Sequence, residues 1–234
     1  MSLRSLLVEM PHTVVKTPSF TLSSNLKKLF LSDVTIQDEG FFKWISCSCK
    51  SLKQISLIEV AEIHNITIES SSLEKFWFLN YKVDETCRIN ISGENIEVIN
   101  VDCKHSPSST VLKIVPPNVK LLNLEGNVKN DQNLGELKCL EEAVILMEPK
   151  IDEIDKVYDV LSSMYSVEAL TLNEATIKTS GFDMEYWKMQ NLGVVSQVEY
   201  VTIELSAGFN GIELARYILE HAESLEKMVI RLRV

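Results

Sequence analysis

The chain of 234 residues contains only eight glycines and six prolines. That leaves little material for a phosphate-cradling loop, and no Walker loop, GxGxxG or GxSxG motif occurs. No stretch approaches the roughly 18 consecutive apolar residues that a membrane helix needs. The run Ser5-Leu6-Leu7-Val8 is broken by Glu9 and is too short for a signal peptide. Positive charge is scarce as well, with 23 Lys and Arg against 33 Asp and Glu for a net charge of -10. This balance argues against nucleic-acid and anionic-membrane partners, which want clustered cations, and is easier to reconcile with basic or neutral protein partners. The expected location is intracellular, in cytoplasm and/or nucleus.

Metal and redox chemistry lack their ligands. The cysteines Cys47, Cys49, Cys87, Cys103 and Cys139 are an odd number without the spacing of a disulfide scaffold, which suits a reducing compartment and small core hydrophobes. Cys47-Ser48-Cys49 is not CxxC, and His12, His64, His105 and His221 are scattered. Cys103-Lys104-His105 is at most a partial ligand set. His221-Ala222-Glu223 echoes the deaminase HxE without its PCxxC. Asn65-Ile66-Thr67 and Asn90-Ile91-Ser92 fit the glycosylation sequon but, without a signal peptide, read as chance matches. No catalytic residue, metal or cofactor is expected, and the chain is not read as an enzyme.

A hydrophobic LxxLxL-like signature, by contrast, returns nine times. Its anchors are Leu26/Leu29/Leu31, Leu52/Ile55/Leu57, Leu73/Phe76/Phe78, Ile96/Ile99/Val101, Val119/Leu122/Leu124, Leu140/Ala143/Ile145, Val167/Leu170/Leu172, Val198/Val201/Ile203 and Leu225/Met228/Ile230. The starts lie roughly 21 to 31 residues apart, close to the usual leucine-rich period of about 20 to 29. One such unit cannot bury its own apolar face, so neighbours must stack. The expected fold is therefore α/β: a leucine-rich-repeat solenoid, curved like a horseshoe. Its concave face is a parallel sheet, and its convex face mixes helices with extended segments.

Connector length sorts the repeats. Asp38 is placed to cap a helix running to about Cys47, with Phe41, Phe42, Trp44 and Ile45 on its apolar side. After Pro149, Ile151, Ile154, Val157, Leu161 and Met164 recur at helical spacing, and Asp152, Glu153, Asp155 and Asp159 face water. A third helix is expected from about Gly211 to His221, with Ile212, Ala215, Leu219 and Ala222 on one face. The repeats starting at Leu73, Ile96 and Val119 leave little room for a helix, so extended segments and turns are expected there, marked by Ser70-Ser71-Ser72, Ser92-Gly93 and Pro116-Pro117. Asn127 falls on the consensus Asn position, where an inward amide can satisfy buried loop groups. The other repeats put Val34, Val60, Tyr81, Lys104 and Ala175 there. Neither end carries an obvious capping unit, and a missing N-terminal portion is expected.

From Val198 to Ile230 the chain reads VEYVTIELSAGFNGIELARYILEHAESLEKMVI, which resembles the FBD domain of plant F-box/leucine-rich-repeat proteins. A strand, an "ELARYILEHA" helix and "LEKMVI" stand in that order. LKKLFLSDVTIQDEGFFKWISCSCKSLKQISL, from Leu26 to Leu57, looks like the first repeat unit of the same proteins. The resemblance implies irregular repeats over 1–180 and FBD-like repeats over 181–234 continuing the same solenoid. It also implies a repeat region that selects the protein substrate of an SCF-type ubiquitin ligase. Family members carry an F-box ahead of the repeats that binds a Skp-type adaptor and cullin. Met1 to Phe20 contain nothing like its LPxxxLxxIL opening, so those partners are expected only if an F-box is supplied. A free-standing interaction scaffold, or an immune-receptor-like repeat region, is the alternative.

Strand alternation turns the anchors inward and the residues between them outward. The candidate protein-binding row is Phe30, Ser56, Trp77, Asn100, Asn123, Thr171 and Thr202, with Val144 and Val229 completing it. Lys28, Gln54, Lys75, Glu125, Tyr200, Glu204 and Lys227 flank it. Trp77 and Phe30 are the residue types that anchor interfaces. Other readings stand beside this one: a one-residue register slip or a covering loop at Trp77, a surface covered by further sequence at Phe30, and ordinary solvated strand positions for Asn and Thr. The acidic stretch Glu136, Glu141, Glu142, Glu148, Asp152, Glu153, Asp155 and Asp159 is either the wet face of a helix and its approach or a steering patch for a basic partner.

Overall fold

The computed structural model describes residues 3–18, 25–38, 40–81, 86–104, 110–115, 118–130, 134, 137–148, 154–179, 193–206 and 212–233. One ten-stranded sheet runs, in spatial order, β1 (Ser5–Val15), β2 (Lys28–Ile36), β3 (Gln54–Ile58), β5 (Lys75–Leu79), β7 (Val98–Cys103), β9 (Leu121–Gly126), β11 (Glu142–Met147), β12 (Ala169–Asn173), β13 (Tyr200–Ser206) and β14 (Lys227–Arg233). A second sheet orders β10 (Val128–Asn130), β8 (Thr110–Val115), β6 (Cys87–Ser92) and β4 (Asn65–Glu69). The described helices are α1 (Gly40–Ser48), α2 (Ile154–Ser162), α3 (Glu174–Thr179), α4 (Gly193–Gln197) and α5 (Ile212–His221). The strand pairs of both sheets are parallel. The architecture is mixed α/β, dominated by a parallel sheet with few helices.

Each large-sheet strand follows its neighbour in sequence because each repeat leaves the sheet and returns one strand further on. The residue before each strand continues the ladder. Lys27 N–H donates to the Arg4 carbonyl at 2.7 Å, Lys53 to Lys27 at 2.8 Å, and the series runs on to Glu226 and Glu199 at 2.8 Å. Parallel pairing fixes the register, so the anchors of successive repeats align and form one apolar cluster with Ile66, Ile68, Ile89, Ile91 and Leu112 of the second sheet. At roughly 25 cal/mol per Å² of apolar area removed from water, this cluster is the main source of cohesion.

The second layer runs from α1 through β4, β6, β8 and β10 to α2, α4 and α5. From β3 to β11, repeats of roughly 21 to 23 residues cross it as strands, and those of roughly 26 to 31 elsewhere cross it as helices. The expected helices at 38–47, after Pro149 and near 211–221 are thus present over their described parts, as α1, α2 and α5. The Asp38 Oδ1 accepts the Gly40 N–H at 2.8 Å at the start of α1, as its capping role requires. Hydrogen bonding from Thr17, whose N–H donates to Asp38 Oδ2 at 3.3 Å, and then from the Gly40 N–H holds the Asp38 carboxyl below its usual range. The extended segments expected in the middle repeats are the strands of the second sheet.

Five expectations are corrected. The repeat count is short by one, since β1 pairs with β2 in the register Leu6↔Leu29 and Val8↔Leu31, and Leu3-Arg4-Ser5-Leu6-Leu7-Val8 fits the same signature. The anchors of the last repeat are not fully buried. Leu225 and Met228 are half-buried and Ile230 is 50% exposed, because β14 is an edge with one neighbour. On α5 the buried face is Leu214, Ala215, Tyr217 and Ile218, while Leu219 is 63% exposed, so that helix is rotated from the expected face. Asn127 leaves its side-chain oxygen without a hydrogen-bond partner. The role expected of it falls instead to Asn80, which donates to the Val60 carbonyl at 2.7 Å, and to Asn173. Glu125, expected on the wet flank of the sheet, is buried in an ion pair with Lys104. Of the acidic stretch, Glu141, Glu142, Glu148 and Asp159 are exposed. Glu136, Ile151, Asp152, Glu153, the Asp155 side chain, His105 and Pro116-Pro117 lie outside the described residues.

Candidate functional site

The face of the ten-stranded sheet that no described element covers carries the candidate residues. Phe30, Ser56, Trp77, Asn100, Asn123, Val144, Thr171, Thr202 and Val229 are consecutive partners in the parallel register, one per strand from β2 to β14. Leu7 of β1 extends the row beside Phe30 and is 63% exposed. Neither Leu7 nor Arg4 was expected at the site, although the LxxLxL spacing from Leu3 could have found both.

Exposure along the row is uneven. Trp77 is 37% exposed between the fully buried Phe76 and Phe78, so the strand is in the expected register and the indole lies on the open side. Phe30 is half-buried, and Ser56 between the two aromatics is only 5% exposed. The result is a slot lined by two rings whose floor, the Ser56 hydroxyl, is covered by its neighbours and closed to solvent. Asn100 and Asn123 are adjacent and half-buried, each with its side-chain oxygen enclosed and without a hydrogen-bond partner. A ligand reaches only the other edge of those amides. Val144, Thr171, Thr202 and Val229 continue as a half-buried strip without large side chains.

At the C-terminal ends of the middle strands a half-buried polar lock forms, with Asp102 and Glu125 buried and Tyr81 at its surface. The Tyr81 hydroxyl donates to Asp102 Oδ2 at 3.0 Å, and the Lys104 N–H donates to Asp102 Oδ1 at 3.1 Å. Lys104 Nζ meets Glu125 Oε1 at 2.5 Å. Burial, then the hydrogen bond and charge of Asp102, push the Tyr81 phenol up to about 12. Gly126 has φ +83°, and a Cβ there would stand 2.4 Å from the Cys103 carbonyl oxygen, so only glycine lets the backbones approach this closely. These groups satisfy one another and form a structural brace rather than a reactive centre.

The N-terminal rim of the sheet is segregated by charge. Its first four strands bring Arg4, Lys27, Lys28, Lys53 and Lys75 together with one acid, Glu74, which Lys53 meets at 2.7 Å. Further along, the ladder brings Glu141, Glu168, Glu199 and Glu226 onto consecutive strands. The Tyr200 hydroxyl donates to Glu226 Oε2 at 2.7 Å, and this bond and charge, with Glu199 and Glu168 beyond, raise the Tyr200 phenol.

Three cysteines, Cys49, Cys87 and Cys103, are buried, and Cys47 and Cys139 are exposed. Burial pushes the Cys87 and Cys103 thiols up to about 12. Such thiols are protonated and inert near neutrality. Among the described residues no group of three or more His, Cys, Asp or Glu is placed to hold a metal ion. No described helix is long and apolar enough to cross a membrane. No family model matches the chain, and neither a curated protein nor a solved structure matches it.

Proposed function

We propose that the chain is a leucine-rich-repeat solenoid of F-box/FBD type. Its large sheet lines the concave side, and it serves as the substrate-recognition part of a ubiquitin-ligase receptor without catalysing a reaction itself. The observation that carries this reading is the uncovered sheet face, on which one row of side chains crosses ten strands in register and presents Phe30 and Trp77 outward. A long face of this kind suits a protein partner, which can contact many strands at once, better than a small molecule, which needs an enclosed cavity. The FBD-like segment Val198 to Ile230 supports the ligase context, and the net charge of -10 speaks for protein over nucleic acid.

Affinity purification of the chain from plant extract, read by mass spectrometry beside a variant carrying Trp77→Asp, Asn100→Lys and Asn123→Lys, tests this reading. Proteins captured by the wild type and lost by the variant support recognition through the open face. Copurifying Skp-type adaptor and cullin support the ligase assignment. Capture without adaptor or cullin favours a free-standing interaction scaffold, and capture unchanged by the three substitutions contradicts the use of this face.

A further inference from the structure

We propose that the slot between β2 and β5 docks an extended acidic peptide segment in which an apolar side chain lies two residues from a carboxylate; this rests on the reading of the sheet face as a protein-binding surface. Phe30 and Trp77 stand in register on either side of Ser56, two strand spacings or roughly 9 to 10 Å apart. Ser56 is 5% exposed, so its neighbours close over it, and an apolar side chain lies across the outer edges of the two rings. Two residues back along the same strands, Lys28, Gln54 and Lys75 repeat the arrangement in charged form. Both lysines are exposed, and the Gln54 side-chain amide donates to the Ser56 hydroxyl at 3.3 Å, which ties the two floor residues together.

The period of the slot defines its ligand. On β2 and on β5 the lysine and the aromatic are two residues apart on one face, roughly 6.5 to 7 Å along the strand. An extended peptide repeats its own side chains at the same distance. A carboxylate over Gln54 and an apolar group over Ser56 therefore meet the two lysines and the two rings together. Charge complementarity gives the sign and the place. Arg4 and Lys27 adjoin the slot, where Lys53 is paired with Glu74, while the acids Glu141, Glu168, Glu199 and Glu226 stand at the far end of the same rim. An acidic segment is drawn to the β2–β5 corner and repelled from the β11–β14 end, although the chain as a whole is acidic.

A displayed random-peptide library selected on the immobilised full chain tests the proposal, with anisotropy titration of the enriched peptides against two double variants. The expected result is enrichment of Asp or Glu two residues from a large apolar residue. Binding should weaken about tenfold or more in Lys28→Glu/Lys75→Glu and stay unchanged in Thr171→Lys/Thr202→Lys. Three results overturn the slot: no enrichment, enrichment of basic peptides, or enriched peptides indifferent to the lysine reversals. Peptides lost on Thr171→Lys/Thr202→Lys but not on the lysine reversals leave a binding face without this slot. Peptides indifferent to every substitution on the sheet sink both readings.

Discussion

Between β3 and β11 the chain returns to the large sheet after roughly 21 to 23 residues and crosses the second layer as a strand, whereas from β11 to β14 it returns after roughly 27 to 31 and crosses as a helix. A strand advances about 3.3 Å per residue and a helix about 1.5 Å, so only an extended segment spans the layer within the shorter connectors. The two regions also satisfy their backbones differently. In the middle, second-sheet strands pair in register and need few side chains to complete their hydrogen bonds. In the C-terminal part the strand-to-helix joints depend on side chains. Asn173 accepts the Thr176 N–H at 2.8 Å and donates to the Met147 carbonyl at 3.2 Å, and the buried Thr176 hydroxyl accepts the Met147 N–H at 3.0 Å.

Substitution of one repeat position in both regions breaks this comparison most strongly. Phe76→Ala removes a ring with no exposed surface from the middle of the cluster and is expected to cost about 3 to 5 kcal/mol by urea denaturation. Met228→Ala, the same repeat position on the edge strand, is expected to cost about 1 kcal/mol or less because Met228 is only half-buried. Equal losses would show that β14 is covered as fully as β5. Gly126→Ala comes next, at about 1 to 3 kcal/mol, since a left-handed φ and a carbonyl contact both oppose a Cβ.

The joints give a finer contrast. Asn173→Ala is expected to lose about 1 to 2 kcal/mol by leaving the Thr176 N–H and the Met147 carbonyl unmatched. Asn127→Ala should be close to neutral, because its side-chain oxygen already lacks a partner. Thermal melts of the two variants side by side would reverse the assignment of roles if Asn127→Ala proved the more damaging.

Titration sharpens the comparison least in magnitude, and two buried thiols make it readable in the middle region. Folding raises the Cys87 and Cys103 thiols from 9.0 to about 12. Their contribution to stability is therefore whole below pH 9 and is lost as pH climbs toward 12, because the unfolded chain releases those protons first. Cys87→Ala/Cys103→Ala should flatten the alkaline fall in urea midpoint. In the native state iodoacetamide should label Cys47 and Cys139 and spare Cys49, Cys87 and Cys103, as peptide mapping would show.

The sheet was legible because apolar anchors recur wherever a strand must bury one face, and the first eight of the nine anchor sets are buried. The candidate row followed from the same alternation, and Phe30 through Thr202 stand in one register. What escaped notice is local. Leu6 and Val8 fit the signature but precede Pro11, and the strand passes through a register shift at Glu9 to Thr13 that no periodicity reports. The α5 face was misjudged because Tyr217 and Leu214 turn inward and Leu219 outward, and the spacing of apolar residues along this helix fits either face. The charge of the slot was hidden because net charge averages over a rim whose two halves differ in sign. Arg4, Lys27, Lys53 and Lys75 lie far apart in sequence and meet only when the strands pair.

The most direct test is capture from plant extract with two variants of the open face, Trp77→Asp in the β2–β5 half and Thr171→Lys/Thr202→Lys in the β12–β13 half. The expected result is loss of the captured proteins with Trp77→Asp and their retention with Thr171→Lys/Thr202→Lys. Retention of the same proteins by both variants would contradict the assignment of binding to this face.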